Sequence, residues 1–105
     1  MLDTTPLITA VDRFADRLRA APQSRLQRGA AAEGLATARE LALRAQRIEE
    51  PGREPRLMPD AGIFSIGDQL TVAGRDLAVA LETAPSKELD EAVQFVDEAA
   101  ARAFA

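Results

Sequence analysis

The stretch Pro59–Ala84, PDAGIFSIGDQLTVAGRDLAVALETA, decides how this chain folds. Near 100° per residue, Ile63, Ile66, Leu70, Ala73, Leu77, Leu81 and Ala84 share one apolar arc, which predicts a helix over residues 61–84. Asp60 is placed to cap it, with Ser65 as a later start. Gly67 and Gly74 lie at the edge of the arc, in line with Ala78. Glycine inside a helix costs about 0.5–1 kcal/mol relative to alanine, so two in line imply close approach of a neighbouring helix. The expected neighbour is the Ala- and Gly-lined second helix. Val72 and Val79 fall on the opposite, outer side.

Three more helices can be arranged around this one. Thr5-Pro6 opens the first, residues 6–20, with Thr as cap and Pro in the first turn. Leu7, Val11, Phe14, Leu18 and Ala21 form its apolar stripe, and Pro22 stops it. Ser24 is the expected cap of the second helix, residues 24–49. Leu26, Ala30, Gly34, Leu41, Ala45 and Ile48 line its inner face, and Gly29, Ala32, Ala36 and Leu43 make a second, outer seam. Residues 50–60, EPGREPRLMPD, are a connector, because three prolines and Gly52 forbid regular structure there. Its apolar pair, Leu57-Met58, suits a plug for the open end of a bundle or a docking knob. Thr83-Ala84-Pro85 breaks the chain again, and Ser86 is the expected cap of the last helix, residues 87–104. Glu88, Asp90 and Glu91 there suit the positive end of the helix dipole. Leu89, Val93, Val96, Ala100 and Ala103 are its inner stripe.

This pattern predicts an all-α, single-domain, up-down-up-down four-helix bundle over residues 1–105, with two long central helices and two shorter flanking ones. A long helical hairpin that pairs with a second copy is the other arrangement it permits. Of the 105 residues, 47% are apolar and 29% charged, which fits a soluble globular chain. Alanine supplies 22 of them and the only aromatics are four Phe, so helices must approach closely to exclude water.

Several chemistries lose their usual residues. The chain has neither Cys nor His, which removes thiolate nucleophiles and the commonest general base and metal ligand. Ser24, Ser65 and Ser86 have no imidazole to activate them. Only an all-carboxylate cation site could form, and Asp90, Glu91, Asp97 and Glu98 point away from the inner stripe of their helix. All-α nucleotide pyrophosphohydrolases pair Glu-x-x-Glu with Glu-x-x-Asp on neighbouring helices. Here Glu33, Glu40, Glu49, Asp68, Asp76 and Glu82 are not so spaced. Helical chorismate mutases need cations and a Glu facing inward, whereas Arg28, Arg39 and Glu40 lie on the polar side. The Trp-x-Gly hairpin of small secreted helical pairs has no Trp to build it. No metal, cofactor or catalytic residue is therefore expected. No stretch approaches the ~18 apolar residues of a membrane span, no signal peptide is evident, and the cytoplasm is the expected location. Twelve Arg against one Lys, with the Ala excess, suggests a bacterial source of high GC content.

Charge is unevenly spread. Residues 1–56 hold ten Arg against eight acids, while residues 57–105 hold nine acids against three bases. An overall charge of −4 without a recognised motif argues against nucleic-acid binding. Arg13, Arg17, Arg19, Arg25 and Arg28 cluster at the first Pro corner with only Asp16 to oppose them. Ser24, Arg25, Arg28 and Arg19 there form a candidate site for a small anionic ligand, since a helix N-terminus also favours anions. The other candidate is an interface made of Val72, Val79, Ala36 and Leu43, the outer seams of the two longest helices. The expected function is non-enzymatic protein–protein interaction, through self-association as a homodimer or with another helical protein. A bundle that binds an anion at the Arg corner is the alternative.

Overall fold

Prolines and glycines, rather than caps at Ser24 and Ser86, mark most ends of the helices. The computed structural model describes all 105 residues, and every regular element is helical. Helix α1 spans Thr5–Ala20, the single turn α2 Gln23–Arg25, α3 Ala31–Glu49, α4 Ile66–Leu81 and α5 Ser86–Ala103. The four long helices have 16, 19, 16 and 18 residues, so the expected long central pair and shorter flanking pair give way to four of similar length.

Each revised boundary has a local cause. Thr4 rather than Thr5 precedes α1, and the Asp3 carboxylate accepts the Thr5 N–H at 3.0 Å. Ser24 and Ser86 cap nothing: Pro22 and Pro85 precede their helices and neither serine makes a side-chain cap bond. The expected helix 24–49 is broken at Gly29, whose φ of 142° and ψ of −17° lie outside the helical region. A side chain rarely tolerates such a φ, so glycine permits the bend here. Asp60 closes a turn on itself by accepting the Gly62 N–H at 2.9 Å, and α4 begins only at Ile66, directly after Ser65, the later start that the sequence also offered.

The order of packing corrects the expected topology. Arg19 at the end of α1 reaches Asp68 at the start of α4, and Leu2 N–H donates to the Glu82 carbonyl past the end of α4, so α1 and α4 are antiparallel. Gly34 near the start of α3 faces Ile66 at the start of α4, and Ile48 and Leu81 line one depression at the other end. These two helices therefore run parallel. Arg102 of α5 pairs with Glu33 of α3, and Arg44 lies over Phe95, which makes α3 and α5 antiparallel. The four-helix bundle is thus up-down-down-up with one long crossover, as some natural bundles are. Helix α4 packs on α1 and α3, and α5 packs on the same two. Helices α1 and α3, joined by a Pro corner, meet over a much smaller area than α1 and α4 do, at the contact of Leu18 with Gly34.

The connector makes this possible. Helix α3 is ~28 Å long, a span that about nine extended residues can retrace, and residues 50–65 are available. Polar side chains hold the returning strand. Arg39 Nε donates to the Met58 carbonyl at 2.9 Å, and Gln46 bonds both the N–H and the carbonyl of Arg56. Gln69 Nε2 donates to the Pro59 carbonyl at 2.8 Å. The Leu57-Met58 pair splits: Met58 packs against the core and Leu57 is 73% exposed.

One apolar cluster fills the interior, including Leu7, Phe14, Leu41, Leu70, Leu77 and Val96. The radius of gyration, 13.2 Å, is that of a chain of this length folded around a single core. The glycine line of α4 faces α1, not the second helix as its sequence neighbours suggest. A Cβ on Gly74 would meet Val11 Cγ1 at 2.6 Å, and one on Gly67 would meet Arg19 Cγ at 2.8 Å. Ala78 is buried in the same line. Gly34 supplies the corresponding close approach from α3, against Ile66 and Leu18.

Candidate functional site

The arginines of the first Pro corner separate once the chain folds. Arg19 turns toward α4, where its Nη2 donates to Asp68 Oδ1 at 2.8 Å and to Thr71 Oγ1 at 3.0 Å; Nη1 reaches Asp16 at 3.2 Å. The bond to Asp68 raises the guanidinium further above its already high ordinary value. Arg17 and Arg25 turn the other way. Their guanidinium groups lie 4.0 and 5.6 Å from the ring centroid of Phe104, which meets Phe14 edge-on at 6.2 Å. Arg25 also donates to the Ala105 carbonyl at 3.2 Å. Two cations over one half-buried ring form an internal clasp holding the end of α5 against α1 and α2.

Of the four residues expected to bind an anion, only Arg25 and Arg28 share a surface depression, of about 330 Å³, with Glu33 and Arg102 beside them. Glu33 and Arg102 neutralise each other at 2.9 Å. Ser24 is exposed and free of any cap bond, and Arg19 belongs to the α4 contact. The helix N-terminus invoked for anions is a single turn, Gln23–Arg25. Of those four residues, Arg28 is the exposed arginine that takes part in no ion pair.

The outer seams keep their places better. Val72 and Val79 are 57% and 63% exposed on α4. Ala36 is exposed and Leu43 half-buried on α3. Gly29 drops out of the α3 seam because the chain is no longer helical there. Ala36 and Leu43 instead line a groove of about 530 Å³ whose other wall is the connector, at Pro55, Arg56 and Leu57. Leu57 also lines an adjoining depression of about 380 Å³ to which Asp76 of α4 contributes. The two depressions adjoin at Arg56 and Leu57, and Val72 and Val79 line neither of them. Phe64, 76% exposed just before α4, adds a further apolar side chain that periodicity alone had not singled out.

A third depression lies between α3, α4 and α5. Arg44 bonds Glu40 at 2.7 Å and lies over Phe95 at 4.7 Å, with Arg47, Glu88 and Glu91 on the rim. Its charges are mixed: Arg44 pairs with Glu40 and Glu91 with Lys87, while Arg47 and Glu88 take part in no ion pair. No group of three or more acidic side chains is placed to hold a metal ion, and no helix is long and apolar enough to cross a membrane. Compared with protein-family models, curated proteins and solved structures, the chain has no match. The fold and this surface, a four-helix bundle with an apolar outer side, are what a functional reading has to rest on.

Proposed function

We propose that this protein acts without catalysis, through protein–protein contact, and that it self-associates as a homodimer in the cytoplasm of a bacterium. One observation carries the reading. Apart from Met1, the large exposed apolar side chains are Leu57, Phe64, Val72 and Val79, all within the connector and α4. Exposed apolar residues scattered singly need no explanation, whereas a concentration in one part of the surface marks a contact site. Light scattering on a size-exclusion column tests this. Wild type should give the mass of a dimer, and Val72→Glu with Val79→Glu should give a folded monomer; a monomeric wild type, or a double variant that stays dimeric, refutes it.

A second reading rests on Arg28, which no acid neutralises and which shares its depression with Arg25. A small anionic ligand there should raise the melting temperature of wild type and not of Arg25→Ala/Arg28→Ala. Phosphate, nucleotides and dicarboxylates are the probes. No shift with any of them refutes it.

A further inference from the structure

The self-association proposed above, on which this inference rests, leaves open how one copy holds another. The connector divides the chain into an N-terminal arm, α1 to α3, and a C-terminal arm, α4 and α5. Neither arm has a core of its own. Both α1 and α3 pack chiefly on α4 and α5, whereas α1 meets α3 over a small area and α4 lies diagonal to α5. The close approaches run between the arms, with Gly74 against Val11, Gly67 against Arg19 and Gly34 against Ile66. So do the ion pairs Arg19–Asp68, Arg75–Asp12 and Arg102–Glu33. The excess of Arg in residues 1–56 thereby faces the excess of acids in residues 57–105.

The connector is the part that the closed chain satisfies least. Pro51, Pro55 and Pro59 favour an extended, semi-rigid spacer. To return along α3 the connector bends through positive φ at Gly52 and again at Gly62. Gln69, which holds it at the Pro59 carbonyl, keeps its own Oε1 buried without a hydrogen-bond partner. A buried acceptor left unpaired bears the full cost of its lost hydration.

Exchange of arms between two copies remakes every arm-to-arm contact, because the same residues meet. With the two-fold axis perpendicular to the helices, the end of one copy's α3 lies beside the start of the other's. Helix α4 begins level with the start of α3, where Ile66 faces Gly34. The connector then bridges neighbouring ends instead of retracing all of α3. We infer that the protein self-associates by exchanging its α4–α5 arm with a second copy, the connector acting as the hinge.

Cysteine cross-linking of the full chain tests this, since it has no Cys of its own. Asp12→Cys/Arg75→Cys places one thiol on each arm at an exposed contact, and Glu33→Cys/Arg102→Cys does so at a second. After a short bis-maleimide is added to the dimer fraction, each double variant should run as a covalent dimer on a denaturing gel. The facing cysteines then belong to different copies. The four single variants should give no covalent dimer, because equivalent positions sit in separate bundles. Double variants that are dimeric in solution yet yield only internally linked monomers overturn exchange and leave self-association standing. Covalent dimers from the single variants do the same, as they would show closed copies side by side. Exchange also requires the arms to part, so isolated dimer should revert slowly on dilution and faster in mild urea; prompt dissociation without urea overturns it. A wild-type monomer by light scattering removes both readings.

Discussion

Replacing Gly74 by alanine should weaken the fold, although alanine is the better helix former. A Cβ at this position would lie 2.6, 2.8 and 3.0 Å from Cγ1, Cγ2 and Cβ of Val11, against about 3.5–4.0 Å for carbon atoms in contact. Val11 is 1% exposed, and a valine on a helix has essentially one χ1 rotamer, so it cannot swing aside. Relief requires α1 and α4 to separate by roughly 1 Å, and overpacking of this kind costs about 1–3 kcal/mol. The gain in helix propensity is about 0.5–1 kcal/mol, which leaves a net loss of about 1 kcal/mol for Gly74→Ala. Val11→Ala should cost about 2 kcal/mol, from two methyl groups at ~0.8 kcal/mol each and a small cavity. In the double variant the new methyl enters the vacated space, so the two losses should not add. Urea unfolding of the four proteins gives a double-mutant cycle with an expected coupling of about 1–3 kcal/mol in favour of the double variant. Gly74→Ala more stable than wild type, or strictly additive losses, would refute the close α1–α4 contact. Gly74→Leu should prevent the helices from closing at all.

Gly29→Ala meets no atom within 4 Å but forces a φ of 142° on a residue with a side chain, and a loss of about 1–3 kcal/mol in urea unfolding is expected; an unchanged midpoint would mean the bend straightens. Phe104→Ala removes the ring from Phe14 and from Arg17 and Arg25, and should cost about 1–3 kcal/mol while raising amide exchange at the end of α5; unchanged exchange would show that the clasp holds nothing. Glu50 is held below its ordinary pKa of 4.5, chiefly by its hydrogen bond from Arg56 and further by Arg53. Its contribution is complete above pH 4.5 and is lost as pH falls through the lowered value. The stability difference between wild type and Glu50→Gln should therefore be constant near neutrality and shrink in acid; a difference that grows in acid contradicts the sign.

The sequence alone determined that the chain is helical, where its prolines interrupt it, and which stripes are buried. Those properties follow from local geometry, since 3.6-residue periodicity fixes a face and proline ends a hydrogen-bonded run wherever it occurs. Ile66, Leu70, Ala73, Leu77 and Leu81 lie in the core as their spacing requires, and Val72 and Val79 face outward for the same reason.

Only the tertiary structure decided neighbours and direction. The short Pro corners suggested that sequential helices pack together, but a connector long enough to retrace α3 lets α4 run parallel to it and leaves the helices joined by Pro corners, α1 with α3 and α4 with α5, diagonal to each other. Nothing in the periodicity of residues 50–65 encodes that return path, because it is held by Arg39, Gln46 and Gln69, polar residues of the two flanking helices. The cations of the Arg corner disperse for a related reason. Five cations close in sequence point to different helices once folded, and Phe104, eighty or so residues away along the chain, engages two of them. Gly67 and Gly74 declared a close approach in the sequence, whereas the identity of the approaching helix, α1, depended on where the whole chain had placed it.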